Sequence, residues 1–366
     1  MSILRTATIA TCITLGSAVV MLAIAPAGAA EKQAAALPSL AANISETSVS
    51  GISSGAYMAG QFEIAHSKIV KGAAIIAGGP YGCAESAFAD MMTGPGLAFF
   101  NMSKAINGCM LNALAMWGVP DPELLAEKTR KLADAGRIDP LASLLDDRVY
   151  FFSGSNDRTV VPAIVAAAYD FYKRLGVPES NLTYVSNLPA GHAFVTDSQG
   201  LACENTGTPY VVNCNYDQAG SVLTWIYGRM NPRVDTPAGQ FLEFDQTPFF
   251  ADIPNNGMDD RGVVYIPPAC AEAQSPAKAC RVHVAFHGCS QNRENTGETF
   301  IRDSGYANWA DNNGFIILFP QAAASPVNPQ GCWDWWGYTG RDYLTREAPQ
   351  IRIVYKILEQ LEKPRS

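Results

Sequence analysis

The chain has 366 residues and a formal net charge of −8, and 16% of its residues are charged. It contains no basic run, which argues against binding to nucleic acid or to anionic membrane surfaces. The charged fraction lies well below the roughly 25% that is usual for soluble domains, so we expect a surface rich in uncharged and apolar groups. Such a surface suits an apolar partner or substrate.

The first 29 residues have the pattern of a cleavable signal peptide. Arg5 is their only charge, an apolar run extends to Ala25, and residues 27–29 offer small side chains for cleavage. A single-span membrane anchor is the alternative, but no basic stop-transfer flank follows the run. We therefore predict secretion, to the periplasm or outside the cell, without stable membrane insertion, and a single domain over residues 30–366.

Secretion changes what the nine cysteines imply. Cys12 lies in the leader, and the other eight are an even number in an oxidising compartment, which indicates disulfides. No Cys-x-x-Cys pair is present to suggest zinc or redox chemistry. Proximity along the chain favours four pairs: Cys83–Cys109, Cys203–Cys214, Cys270–Cys280 and Cys289–Cys332.

An early stretch of the chain carries the spacing of a nucleophile elbow. Gly51, Ser53 and Gly55 form the pattern Gly-x-Ser-x-Gly, after a predicted strand over residues 44–52 and before a helix-compatible segment over 56–69. Glycines flank the serine because the strained turn and the close helix–strand packing leave no room for side chains. The pattern alone is weak, and the flanking strand and helix strengthen it.

Strand candidates alternate with helical ones along the rest of the chain. Short β-branched and aromatic runs occur at residues 71–79, 148–154, 182–188, 240–245, 262–266, 282–286 and 315–319. With the elbow strand they predict an α/β fold, an eight-stranded, mostly parallel sheet with helices on both faces. A helical insertion over about 81–146 interrupts the pattern and is either a lid or pocket wall, or a surface decoration.

A serine nucleophile needs a general base, and the chain has four histidines. His192 follows a predicted strand in a glycine-flanked loop, where its side chain can reach over the sheet edge. The other three, His66, His283 and His287, fall on a helix, inside a strand and at a strand end. Asp157, in the loop after the preceding strand, is the candidate carboxylate that orients the base.

Asp146 and Asp197 are the alternative candidates for this carboxylate. The order Ser53, Asp157, His192 matches the Ser…Asp…His order of α/β-hydrolases. It therefore favours Asp157, although an aspartate in a turn also has ordinary structural uses.

The oxyanion loop of that fold normally precedes the nucleophile and often begins with His-Gly. Here the corresponding residues, His287 and Gly288, come far downstream of Ser53. A circular permutation with its junction at about residues 228–240 accounts for this, since termini that lie close together tolerate such a change. Strands 240–245, 262–266, 282–286 and 315–319 then become the first to fourth, and a helix over 346–361 leads into the elbow strand.

Seven stretches are spread along essentially the whole chain after the leader: GISSGAYMAGQ, IIAGGPYGCA, SGSNDRTV, PAGHAF, NPRVDTPAGQ, VHVAFHGCSQ and GFIILFPQ. Together they resemble the secreted poly(3-hydroxybutyrate) depolymerases built on a circularly permuted α/β-hydrolase domain. The resemblance implies Ser53 as the nucleophile, with Asp157 and His192 as its triad partners. It also implies that the backbone N–H groups of Ser54 and Cys289 form the oxyanion hole.

Three of the six tryptophans, Trp333, Trp335 and Trp336, fall within four residues after the predicted fourth strand. A buried core is the usual place for tryptophan. The flanking glycines and Asp334 suggest a loop, in which one or two rings could instead face a substrate groove and hold an aliphatic polyester.

The sequence thus predicts a single-domain serine esterase that cleaves poly(3-hydroxybutyrate), or related short-chain hydroxyalkanoate polyesters and oligomers, through an acyl-enzyme. It needs no metal or organic cofactor, and no nucleic-acid or obligate protein partner is evident. A feruloyl-type or general carboxylesterase is the alternative enzyme, since related hydrolases share the HGC loop. A catalytically silent binding protein with a hydrolase fold is the alternative from another class. Many polymer depolymerases also carry a linker and a separate adsorption domain, which this sequence lacks.

Overall fold

A twisted sheet lies at the centre of the molecule, with helices on both of its faces. The computed structural model describes residues 34–85, 95–111, 118–272 and 279–365, so the predicted leader (1–29), with Cys12, lies outside the described residues. The strands are β1 (Asn43–Ile52), β2 (Val70–Ile76), β3 (Arg148–Phe152), β4 (Leu182–Val185), β5 (Phe194–Thr196), β6 (Leu201–Ala202), β7 (Val211–Asn213), β8 (Gln240–Asp245), β9 (Arg261–Ile266), β10 (Arg281–Phe286) and β11 (Phe315–Phe319). The helices are α1 (Ser54–Ala65), α2 (Pro95–Gly108), α3 (Pro122–Asp134), α4 (Pro162–Leu175), α5 (Gln218–Tyr227), α6 (Pro268–Glu272), α7 (Arg293–Thr296), α8 (Thr299–Asp303), α9 (Tyr306–Asn313) and α10 (Pro349–Glu362).

The main sheet has eight strands in the order β4-β3-β2-β1-β10-β11-β9-β8. β9 runs antiparallel to both of its neighbours, and every other adjacent pair is parallel. The predicted eight-stranded, mostly parallel sheet is therefore confirmed. Its strands are short apolar runs because helices cover both faces of the sheet.

The strand order fits the predicted permutation. If β8 to β11 are renumbered 1 to 4 and β1 to β4 are renumbered 5 to 8, the order of the strands across the sheet, read from β8, is 1-2-4-3-5-6-7-8. The predicted neighbour of the elbow strand is in place, because β10 pairs with β1 and sets Gly51 opposite Phe286. α10 contacts both β1 and α1, which is where a helix leading into β1 would lie.

Some element boundaries differ from the predicted ones. β2 ends at Ile76 instead of residue 79, because Ala77 takes a positive φ of 51° and turns the chain out of the sheet. α1 covers Ser54–Ala65, whereas the prediction was 56–69. The helix thus begins directly after the serine of the elbow.

Two apolar cores lie on opposite faces of the sheet. One packs α1, α4 and α10 against it, with Phe62, Ile164 and Val354 fully buried. The other packs α5, α8 and α9, with Leu223 and Phe300 buried. Every residue of α1 is buried, which makes this helix the central one of its layer.

The predicted insertion contains α2, α3 and a short 3-10 helix over Leu141–Asp146. α3 begins after Asp121, whose side chain accepts two backbone N–H bonds as an N-cap, and it packs against α4. Residues 86–94 and 112–117 of the insertion lie outside the described part of the chain.

A second, parallel sheet in the order β5-β7-β6 has no counterpart in the sequence-based prediction. Its strands have only two or three residues, too few for periodicity to reveal. This sheet follows His192 directly, so it belongs to the surroundings of the candidate base.

Four disulfides link parts of the described chain, and they join the same cysteine pairs that sequence proximity favours. They are Cys83–Cys109, Cys203–Cys214, Cys270–Cys280 and Cys289–Cys332. Among the helices of the described ranges, none combines the length and the apolar character needed to cross a membrane.

Candidate active site

Ser53 occupies a sharp turn between β1 and α1. Its φ of 57° and ψ of −122° lie in a backbone region that residues other than glycine rarely adopt. A Cβ on Gly51 would lie 2.1 Å from the carbonyl oxygen of Gly55, and one on Gly55 would lie 2.4 Å from that of His287. The glycine spacing therefore permits a strained turn that presents the serine at the end of the strand.

Asp157 and His192 form a hydrogen-bonded pair. Nδ1 of His192 lies 2.8 Å from Oδ2 of Asp157, and both side chains are buried. The other carboxylate oxygen, Oδ1, accepts backbone N–H bonds from Thr159 and Val160 at 2.8 and 2.9 Å. The carboxylate is thus held in one orientation, and Nε2 of His192 is the ring nitrogen left for a reacting group.

The loops that carry these residues leave one edge of the sheet. Asp157 follows β3 and His192 follows β4, two adjacent parallel strands. The loops bond to each other, since Asn156 donates its N–H to the carbonyl oxygen of Ala190 at 3.1 Å. Ser53 follows β1 at the same edge, because parallel strands end on one side of a sheet.

A segment that sequence reasoning missed holds the loop of His192 in place. This Cys203–Cys214 segment, residues 203–214, is closed by its own disulfide. The backbone N–H of His192 donates to Oγ1 of Thr206 at 2.8 Å, and that of Gly191 donates to the carbonyl oxygen of Cys203 at 3.0 Å. The only signal in the sequence was a closely spaced cysteine pair just after the candidate base.

The other carboxylate candidates have different surroundings. Asp197 bonds to Arg233 at 2.6 Å, which lowers the pKa of the Asp197 carboxyl. Asp146 ends the short 3-10 helix of the insertion. Among the histidines that are not candidates for the base, His66 lies at the end of α1, where its ring stacks on Tyr355.

His283 is a packed histidine inside β10, as the strand position suggested. Its Nδ1 lies 2.7 Å from Oγ of Ser48 and its Nε2 lies 2.8 Å from Oγ of Ser50. Burial lowers the pKa of His283 to about 3, so the ring is neutral. The His283 side chain thus links β10 to β1, the elbow strand, at two serines that precede Ser53 in the sequence.

The His287-Gly288-Cys289 loop follows β10 and lies next to the elbow. A Cβ on Gly288 would be 3.4 Å from the Cβ of Ser53. Nε2 of His287 accepts the N–H of Ala322 at 3.1 Å, so its Nδ1 carries the proton and donates to the Gly288 carbonyl oxygen at 2.8 Å. Burial lowers the pKa of His287 to about 4, which keeps this neutral tautomer.

The hydrogen bond from His287 to the Gly288 carbonyl oxygen also orients the amide of Cys289. The Gly288 carbonyl and the Cys289 N–H belong to one planar trans peptide, in which the two groups point in opposite directions. By holding the oxygen on one side, His287 fixes the N–H of Cys289 on the other. The amide of Ser54 is the first of α1, among the helix N–H groups that have no partner inside the helix.

The tryptophan loop is turned inward, as the usual core position of tryptophan suggested. Trp333 is fully buried, and Trp335 and Trp336 are each 5% exposed, close to the exposure of His192 (5%) and Ser53 (8%). The cause of the inward turn is Asp334, whose carboxylate accepts N–H bonds from Gly337, Tyr338 and Thr339 and curls the loop. The contact of one or two of these rings with a substrate stays a prediction.

The rings pack against the elbow helix and the oxyanion loop. Trp335 stacks on Tyr57 of α1 with ring centroids 4.0 Å apart, and Trp333 meets Phe286 edge to face. The disulfide Cys289–Cys332 ties the tryptophan loop to the oxyanion loop. Within the described ranges, no three His, Cys, Asp or Glu side chains converge as metal ligands would.

Comparisons with known proteins relate this chain to poly(3-hydroxybutyrate) depolymerases. The chain is 36% identical over 352 residues to the polyhydroxybutyrate depolymerase of Talaromyces funiculosus, covering 91% of this chain and 94% of the relative. It is 36% identical over 328 residues to the poly(3-hydroxybutyrate) depolymerase of Delftia acidovorans, covering 89% of this chain but only 61% of that relative. No family model matches the chain.

Two solved structures have the same fold. One is the crystal structure of the PHB depolymerase from Penicillium funiculosum, with a TM-score of 0.78 and 33% identity over 90% of this chain and 100% of the other. The second, a serine-to-alanine variant of a PHB depolymerase complexed with an R3HB trimer, matches with the same TM-score, identity and coverage.

Proposed function

The chain belongs to the poly(3-hydroxybutyrate) depolymerase family, and from that membership we propose that it is a serine esterase. Its substrate is poly(3-hydroxybutyrate) or a related short-chain hydroxyalkanoate polyester, together with the oligomers. The structural relative complexed with an R3HB trimer supports this substrate class. The observation that carries the proposal is the Asp157–His192 pair at the sheet edge where the strained Ser53 turn begins α1.

The reaction proceeds through an acyl-enzyme in two similar halves. Ser53 Oγ attacks the ester carbonyl carbon while His192 Nε2 takes the hydroxyl proton. Asp157 keeps the other proton of the imidazole on Nδ1 and stabilises the imidazolium. The bond between the carbonyl carbon and the leaving alcohol oxygen then breaks, and His192 returns its proton to that oxygen. Water attacks the acyl-enzyme by the same route and releases the acid.

The developing oxyanion is held by the backbone N–H groups of Ser54 and Cys289. The first lies at the N-terminus of α1, where unpaired amides and the helix dipole favour negative charge. The second is oriented by His287 through the Gly288 carbonyl. Donors fixed in advance stabilise the transition state more than mobile ones, because they need no reorganisation when charge develops.

The enzyme acts outside the cytoplasm, with residues 1–29 as a signal peptide and 30–366 as one catalytic domain. That domain has the insertion at about 81–146 and the permutation junction at about 228–240. The four disulfides support secretion, since such bonds persist in oxidising compartments. The triad chemistry uses no metal or organic cofactor, no nucleic acid and no obligate protein partner.

One assay separates this function from its alternatives. Purified protein is incubated with amorphous poly(3-hydroxybutyrate), with the soluble R3HB trimer and with methyl ferulate, and Ser53→Ala serves as the matched inactive control. Release of 3-hydroxybutyrate or its dimer from the first two, absent in Ser53→Ala, is the expected result. Release of ferulate alone would assign a feruloyl esterase. Failure of a phosphonate probe to label Ser53 would assign a binding protein.

A further inference from the structure

Gln291 is a buried side chain whose amide bridges two separate parts of the candidate site. It follows the oxyanion loop by two residues and is 2% exposed. Its Oε1 accepts the N–H of Gly288 at 2.8 Å. Its Nε2 donates to the carbonyl oxygens of Tyr210 at 3.0 Å and Pro209 at 3.3 Å. The amide orientation follows from these partners, because only Oε1 can accept and only Nε2 can donate.

The two carbonyl groups that accept from Gln291 Nε2, those of Pro209 and Tyr210, belong to the Cys203–Cys214 segment. The Tyr210 carbonyl oxygen also accepts the N–H of Phe194, the first residue of β5, at 2.8 Å. Phe194 lies two residues after His192, whose own N–H is held by Thr206 of the same segment. The Cys203–Cys214 segment therefore contacts the loop of the base on both sides of His192.

At the oxyanion loop, Gln291 holds the His287–Gly288 peptide group, which precedes the proposed oxyanion donor Cys289. Gln291 fixes the N–H of Gly288, while His287 fixes the carbonyl of the same residue. Gly288 itself lies next to Ser53. One amide side chain thus spans from the oxyanion loop to the segment that holds the loop of the base.

We propose that Gln291 is a positioning residue, which sets the distance between the oxyanion amide of Cys289 and the imidazole of His192. This inference rests on the proposed esterase function. In the transition state the base and the oxyanion donors act on one tetrahedral centre, so a shift of either by a fraction of an ångström weakens catalysis. The bridge is made of protein groups alone, and it exists before substrate binds.

A second buried glutamine provides a matched control. Gln246 at the end of β8 is fully buried, and its Nε2 donates to two backbone carbonyls, those of Asp259 and Gln321. Its Oε1 accepts the N–H of Gln321 at 3.2 Å. It has the same bonding pattern as Gln291, but three strands separate β8 from the elbow strand, and it reaches the oxyanion loop only indirectly, through the Gln321–Ala322 peptide that donates to His287.

The test compares Gln291→Ala with Gln246→Ala on p-nitrophenyl butyrate and on the soluble trimer. Both variants lose one buried hydrogen-bonded amide, so we expect similar losses of thermal stability. For Gln291→Ala, kcat should fall about 10-fold to 100-fold with KM within about twofold, by analogy with the loss of an oxyanion donor. Affinity for a trifluoromethyl ketone should fall in parallel, because that analogue forms the tetrahedral oxyanion. For Gln246→Ala, kcat should fall several-fold less than for Gln291→Ala, because its link to the oxyanion loop is indirect.

A double-mutant cycle with Thr206→Val tests the route of the effect. If Gln291 acts through the Cys203–Cys214 segment, the losses in kcat from Gln291→Ala and Thr206→Val will be non-additive by at least about threefold. Equal kcat losses in the two glutamine variants, or additive effects in the cycle, would overturn the inference. Should Gln291→Ala not fold, Gln291→Met replaces it in both tests. Wild-type protein without Ser53-dependent esterase activity would instead refute the proposed function.

Discussion

Asp157 binds His192 with one carboxylate oxygen and the backbone of its own loop with the other. An asparagine at position 157 could keep the loop bonds with its amide oxygen, but its NH₂ group would then face Nδ1 of His192 and favour the tautomer protonated on Nε2. We therefore expect Asp157→Asn to lower kcat on a soluble ester by about 10⁴-fold, with little loss of thermal stability.

Asp197→Asn is the control for this carboxylate. Asp197 lies five residues after His192, but its side chain bonds to Arg233 at 2.6 Å. Its replacement should leave kcat within about twofold. Retained activity in Asp157→Asn together with a large loss in Asp197→Asn would show that the carboxylate has been assigned to the wrong residue.

The disulfide Cys289–Cys332 joins the loop of Cys289, the second of the proposed oxyanion donors, to the tryptophan loop. The double variant Cys289→Ser/Cys332→Ser should lower both kcat and thermal stability. The cysteines are 43 residues apart, so loop-closure entropy predicts a loss of about 4 kcal/mol. The measurements are steady-state kinetics on a soluble ester and thermal unfolding.

The matched control removes Cys270–Cys280, whose cysteines are 10 residues apart. It lies at the start of β10, at the opposite end of that strand from His287. Cys270→Ser/Cys280→Ser should cost about 2.7 kcal/mol by the same relation and leave kcat unchanged. If both pairs reduced kcat equally, the effect would be one of global stability.

Trp333 should act through packing. Its ring is fully buried against Phe286 and His287, and its Nε1 has no hydrogen-bond partner among the described residues. Trp333→Ala should reduce the free energy of unfolding by about 3–5 kcal/mol in denaturant titrations. Trp333→Phe removes no hydrogen bond and should keep the KM for the soluble trimer. A tenfold rise in that KM would instead assign the ring to substrate binding.

The burial of His66 predicts that the fold is sensitive to acid. Burial lowers its pKa from 6.5 to about 4, so the unfolded chain takes up the proton at a higher pH than the native protein. Stability from this group is complete above about pH 6.5 and is lost as the pH falls towards 4, at about 1.4 kcal/mol per pKa unit.

His66→Phe keeps the stack on Tyr355, whose ring centroid is 4.4 Å away, and removes the titrating group. The drop in melting temperature between about pH 7.5 and about pH 4.5 should therefore be smaller in the variant than in the wild type. Equal drops in the two proteins would mean that other groups cause the acid sensitivity. Thermal unfolding at the two pH values provides the measurement.

Much of the fold could be predicted from local signals. β3 and β11 are runs of apolar and aromatic residues, RVYFF and FIILF, whose composition already requires burial on both faces. The elbow was visible because its strained turn demands glycine at fixed positions. The His287-Gly288-Cys289 loop was singled out because the fold calls for a loop that begins with His-Gly, and its displacement along the chain then suggested the permutation.

The parts that were missed depend on particular hydrogen bonds or on very short elements. Gln291 bonds to Tyr210 and Pro209, which are about 80 residues away, and no local pattern signals such a bridge. The inward turn of the tryptophans depends on three N–H bonds to Asp334, a geometry that composition cannot reveal. The second sheet has strands of only two or three residues, too short for any periodicity.

The position of β1 in the sheet has a consequence for how the chain folds. This strand is made first, yet one of its two neighbours, β10, pairs with it across a sequence separation of 235 residues at Ser48 and His283. Until β10 arrives, one edge of β1 stays open, and such long-range parallel pairing is slow. Nascent chains therefore carry an unpaired, apolar strand edge for most of their synthesis, which favours self-association over folding whenever the local concentration is high.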